Sequence, residues 1–65
     1  MQVTVDVKGE GTHELDLPEP TYADCLAELG LSPHEVSVLV DGRPVPEDQP
    51  VAVQQFTVLR LIKGG

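Results

Sequence analysis

The sequence has no tryptophan and only one tyrosine, one phenylalanine, one methionine and one cysteine. A core of stacked aromatic rings is therefore excluded, and valine and leucine must fill it. The lone Cys25 excludes an internal disulfide, and no cluster of cysteine and histidine suggests a metal. Apolar packing carries the fold alone, although natural domains below about 70–80 residues often add such staples. Positive charge is equally scarce. Two lysines and two arginines face eleven acids, a formal net charge of −7, which disfavours direct binding to nucleic-acid phosphates. No run approaches the roughly 18 apolar residues of a membrane span. Met1 leads straight into alternating strand sequence rather than into a basic-then-apolar signal segment. The expectation is a soluble, cytoplasmic, monomeric domain with no direct nucleic-acid or membrane partner. Sixty-five residues leave space for one small core and hardly for a deep substrate pocket, so an enzyme acting alone is disfavoured.

All eleven acids lie between Asp6 and Asp48. The segment after Asp48 carries Arg60 and Lys63 and no acid, so an acidic body joins a C-terminal strand of different character. Many acids with few lysines suit a high-salt medium, where counter-ions screen self-repulsion. That composition predicts stability lost at low salt.

Val3, Val5 and Val7 alternate with Thr4, Asp6 and Lys8, the period of a strand with one buried face, over about Gln2 to Lys8. Gly9-Glu10-Gly11 supplies residues tolerant of a turn, and alternation resumes at Leu15 and Leu17, which predicts a hairpin. His13 falls at the rim of strand two and receives no role. Pro18-Glu19-Pro20 ends that strand. Thr21 reads as a helix N-cap accepting the Asp24 amide, with Tyr22, Cys25, Leu26 and Leu29 as the buried stripe and Gly30 just past the end. Cys25 reads as packing, since no nearby basic group would activate it. Ser32-Pro33-His34-Glu35 predicts a single helical turn, capped by Ser32 with Glu35 reaching back, and His34 exposed. Val36 to Val40 and a short strand from Arg43 to Val45 flank Asp41-Gly42, the strongest hairpin signal in the chain, and Pro44 and Pro46 mark that short strand as an edge. Val51 and Val53 cover the lower core.

The last strand differs from the others. Phe56, Val58 and Ile62 share one face, but the opposite face offers Thr57, Leu59 and Leu61 where a wet face should be polar. Leu39 occupies the same face of strand three. If these strands are neighbours, Leu39, Leu59 and Leu61 form an exposed apolar patch flanked by Arg43 and Arg60, the kind of patch that marks a protein interface. The other reading is that strand five is central and dry on both faces. Lys63-Gly64-Gly65 then ends the chain as a tail without packing side chains, expected to be mobile beyond a domain of residues 1–62.

Hairpin, helix, hairpin, strand predicts an α+β β-grasp fold. One helix covers one face of a mixed four-to-five-stranded sheet, and the last strand pairs in parallel with the first. At this point the sequence resembles a family. The ending VLRLIKGG at Val58–Gly65 is similar to the C-terminus of ubiquitin-like modifiers. The stretches SPHEV at Ser32–Val36 and VLVDGRPVPEDQ at Val38–Gln49, with Thr21-Tyr22-Ala23-Asp24, resemble the small archaeal modifier proteins of haloarchaea, the type that also carries sulfur for tRNA thiolation. Leu39 and Leu59 match members of the ubiquitin recognition patch. Ubiquitin's many acceptor lysines reduce here to Lys8 and Lys63.

The resemblance implies that Gly65, preceded by Gly64, is adenylated with ATP and Mg²⁺ bound by a separate activating enzyme, this chain holding no cofactor. A substrate lysine then gives an isopeptide bond. A persulfide gives a thiocarboxylate that a tRNA thiolation enzyme uses on a wobble uridine. Within the chain there is no catalytic constellation: no Ser/His/Asp or Cys/His set and no phosphate-cradling loop. Two alternatives stay open: a dedicated sulfur carrier for molybdopterin or thiamine synthesis, and a non-covalent β-grasp interaction module.

Overall fold

The computed structural model describes residues 1–61. Its first element, β1 (Gln2–Val7), buries Val3, Val5 and Val7 and turns Thr4 and Asp6 to the other face, as the alternation requires. The turn after it closes with the Glu10 amide donating to the Val7 carbonyl at 2.9 Å, with Gly9 at φ +83°, a conformation that side chains disfavour. β2 (Gly11–Asp16) returns antiparallel, with Leu15 opposite Val3 and His13 opposite Val5.

The one α-helix among the described residues, α1 (Tyr22–Glu28), starts as its sequence dictates. The Asp24 amide donates to Thr21 Oγ1 at 3.1 Å and the Thr21 amide to Asp24 Oδ2 at 2.9 Å, so each of two otherwise unpaired amides is satisfied by the other residue's side chain. At the far end the Leu31 amide reaches the Leu26 carbonyl at 2.8 Å and the Gly30 amide the Ala27 carbonyl at 3.1 Å, with Gly30 at φ +73°. This paired bonding is a Schellman stop, and it explains why glycine closes the helix. The one-turn helix Pro33–Glu35 follows. Ser32 Oγ accepts the His34 amide at 3.4 Å, but the reach-back expected of Glu35 is instead a backbone bond from its amide to the Ser32 carbonyl at 3.0 Å.

β3 (Val36–Val40) and β4 (Arg43–Pro44) form the second hairpin. Asp41 and Gly42 have φ of 52° and 79°, the left-handed pair that a two-residue hairpin turn needs. The ladder of β4 stops one residue earlier than its sequence suggests, although the Val45 amide still donates to Val38 at 3.0 Å. β5 (Gln55–Arg60) completes a five-stranded sheet in the order β2-β1-β5-β3-β4, parallel to β1 and antiparallel to β3.

The β-grasp architecture places β5 at the centre. One face of the sheet, built from Val3, Val5, Val7, Val36, Val38, Phe56 and Val58, meets Tyr22, Cys25 and Leu26 of the helix. Tyr22 and Phe56, the chain's one tyrosine and one phenylalanine, meet edge to face with centroids 4.9 Å apart, worth about 0.5–1.5 kcal/mol beyond area burial. Cys25 is fully buried, and burial, followed by the neighbouring Asp24 charge, pushes its thiol pKa up. It is a packing residue held protonated. Among the described residues no helix is long and apolar enough to cross a membrane.

Candidate functional site

Pairing fixes which side chains share the face away from the helix. Leu39 lies opposite Thr57 and Leu59 opposite Ser37, so the two leucines are diagonal neighbours on adjacent strands, about 7–8 Å apart. Leu59 is 42% exposed and Leu61 60% exposed, while Leu39 is half-buried. The two readings of strand five thus each hold in part: it is central, yet its outer face is wet at the tail end. With Met1, Leu59 and Leu61 are the large exposed apolar side chains among the described residues. A cleft of about 280 Å³ beside Leu39, lined also by Asp41, Gly42, Gln55 and Thr57, borders the patch.

The arginines are placed differently from the expectation that they flank the leucines. Arg43 pairs with Val40 and Arg60 with Val36, both on the helix side of the sheet, because a strand turns alternate residues to opposite faces. Arg60 is engaged by Glu10: its guanidinium donates to Glu10 Oε2 at 2.5 Å. That hydrogen bond, then the Glu10 charge, raises the guanidinium pKa. Glu10 sits in a hairpin turn whose glycines suggest only chain reversal, and an ion pair across 50 positions leaves no local signature.

Lys8 is exposed and takes a more pointed place than its sequence suggests. Its amide donates to the Val58 carbonyl at 3.0 Å, which continues the β1–β5 register and sets Lys8 beside Leu59 on the outer face. On the other side the Leu61 amide donates to the Glu35 carbonyl at 2.8 Å. The chain is therefore held from both sides as far as Val58 and from the Glu35 side as far as Leu61. Ile62, expected on the buried face, and the tail residues Lys63, Gly64 and Gly65 lie outside the described residues. Among the described residues no group of three His, Cys, Asp or Glu side chains is arranged to hold a metal ion.

This geometry is matched by known proteins. Residues 1–62 fit the family described as small archaeal modifier protein 2. Small archaeal modifier protein 2 of Haloferax volcanii is 62% identical over 66 aligned positions, taking in 100% of both chains. An uncharacterized protein of Archaeoglobus fulgidus is 35% identical over 52 residues, 80% of this chain and 78% of its own. The crystal structure of the H. volcanii small archaeal modifier protein 2 superposes with a TM-score of 0.73 at 61% identity, covering 97% of each chain. A β-grasp domain whose central strand runs past exposed leucines toward a Gly-Gly ending, and which aligns along its whole length with such a relative, belongs to the small archaeal modifier protein 2 family of ubiquitin-like modifiers.

Proposed function

We propose that the Gly64-Gly65 ending is the reacting end of a protein modifier that also carries sulfur. The carboxylate of Gly65 attacks ATP in a separate activating enzyme, which supplies Mg²⁺, to give an acyl adenylate and pyrophosphate. A lysine amine on a substrate protein then displaces AMP, forming an isopeptide bond and releasing a proton. A persulfide on a carrier protein displaces AMP in the second branch. Cleavage of the resulting acyl disulfide by a thiol leaves a Gly65 thiocarboxylate and a protein disulfide, and the thiocarboxylate passes its sulfur to a tRNA thiolation enzyme acting on wobble uridine.

The observation that carries this reading is the exposed Leu59–Leu61 face on a strand gripped from both sides. An activating enzyme must hold the body of the modifier while the ending enters its nucleotide site. A rigid central strand with apolar handles next to the tail supports that task, and two residues without side chains suit a narrow channel. Lys8, Lys63 and the Met1 amine are the candidate acceptors for a further copy.

Mass spectrometry of tagged protein from a host holding the activating enzyme tests the reading. Trypsin cuts after Lys63, so substrate lysines should keep a Gly-Gly remnant, and free chains should show an oxygen-to-sulfur mass increase. Remnants alone would limit the role to modification, and the mass increase alone would limit it to sulfur transfer. Absence of both signals would refute the reading.

A further inference from the structure

The sheet has two edges, and they are finished differently. β4 is two residues long and holds Pro44, which has no amide to offer. β2 is six residues long and, among the described residues, no strand flanks its outer side. Met1 and Leu17 exchange both backbone bonds, at 2.8 and 3.0 Å. Because bonded and unbonded pairs alternate along an antiparallel ladder, Leu15, His13 and Gly11 turn their backbone groups toward β1. Thr12, Glu14 and Asp16 turn theirs away from the sheet.

Beside this open edge, between the end of β2 and α1, runs a groove of about 410 Å³ lined by Leu17, Pro18, Pro20, Asp24, Ala27 and Glu28. Its walls are apolar and its rim is acidic. On the other face of β2 lie Glu14 and Asp16. Glu14 accepts from Gln2 Nε2 at 3.0 Å and Asp16 stands 3.5 Å from the Met1 amine, both in exposed positions. Asp24 uses one oxygen in the helix cap. Carboxylates thus stand on both sides of an unpaired strand edge.

We propose that β2 and this groove bind an extended segment of a partner protein in which basic and apolar residues alternate. Such a segment would add a sixth strand. Its backbone would meet the free groups of Thr12, Glu14 and Asp16. Its lysines or arginines would face Glu14 and Asp16, while the alternate side chains, valine or leucine, would enter the groove against Leu17, Pro20 and Ala27. A second copy of this chain does not fit, because its own β2 would set Glu14 and Asp16 against the same carboxylates. The charge that guards the edge against self-pairing selects a cationic guest.

The test uses the ¹⁵N-labelled full chain and a capped peptide of alternating lysine and valine matched to the six residues of β2. Saturable shifts at Thr12, Glu14, Asp16 and Ala27 are expected at about millimolar peptide, with slowed hydrogen exchange of the three outward amides. A peptide of the same composition with its lysines and valines in separate blocks should bind at least roughly tenfold more weakly. Ala27→Arg places a long cation in the groove at an exposed helix position, and the double variant E14K/D16K reverses the rim. Each should remove binding while leaving the fold intact by amide spectrum. Equal binding of both peptides, protection confined to other strands, no saturable shift, or self-association protecting the same amides would each overturn the proposal.

Discussion

Val58→Ala and Leu59→Ser change neighbouring residues of β5 that point to opposite faces, and their costs should part accordingly. Val58 is fully buried in the core cluster. Deleting two of its carbons leaves a cavity under the helix and should cost about 2–3 kcal/mol. Leu59 keeps 42% of its surface in water, so its removal forfeits only part of the roughly 1.5–3 kcal/mol of a fully buried leucine, about 1 kcal/mol. A domain of this size is worth about 3–10 kcal/mol in total. Thermal melts should fall by about 10–20 °C for Val58→Ala and about 4–8 °C for Leu59→Ser. Binding should show the reverse order. In an ATP–pyrophosphate exchange assay with the activating enzyme, below the melting range of both variants, Leu59→Ser should raise the KM for this protein several-fold and Val58→Ala should leave it near wild type. Equal melting losses would refute the assignment of Leu59 to a wet face. An unchanged KM for Leu59→Ser would refute its use as a handle.

Thr21→Ala removes one half of the reciprocal cap on α1 and should cost about 1 kcal/mol, read as a lower melting midpoint that Thr21→Ser restores. Burial raises the Cys25 thiol pKa above its ordinary 9.0, so the folded state holds that proton more tightly than the unfolded one. The resulting stability is full below pH 9.0 and is lost as pH rises through the folded value; denaturant titrations should show this loss in wild type and a smaller one in Cys25→Ala. With a net charge of −7, the melting temperature should climb as potassium chloride screens the acids. A salt-independent midpoint would remove the high-salt reading.

Where side chains obey strict local rules, the sequence was a sufficient guide. Thr21-x-x-Asp24, Gly30 and Asp41-Gly42 each encode a backbone need within a few residues, and the helix cap, helix stop and hairpin turn sit where those residues demand. Alternating valines likewise announced the buried faces of β1 and β3. Two kinds of feature were less legible. Glu19 adopts φ +42° between two prolines, where a glycine or asparagine would have signalled the turn. Long-range placement was the other. Arg43 and Arg60 flank the leucines in sequence but register on the helix side, because pairing parity, which no single strand reveals, decides the face. The grip of Glu10 on Arg60 and the seat of Lys8 beside Leu59 depend on the parallel β1–β5 pairing in the same way.

That pairing also sets how many partners the domain can hold at once. Val7 lies beside Val58 at one end of the sheet and Thr4 beside Gln55 toward the other. Leu59 and Leu61 therefore stand at the end of the β1–β2 turn, where Glu10 meets Arg60. The groove beside Leu17 stands at the opposite end, next to Met1. The six residues of β1 span about 20 Å between these ends, and the β2 edge lies two strands from β5, a further 10 Å or so sideways. A partner strand on β2 would leave the leucines uncovered, and an enzyme holding the leucines would leave the acidic edge free. The two surfaces are thus separated by face and by end of one sheet. The acidic body and the acid-free last strand, visible in the charge distribution, are the two halves of that division.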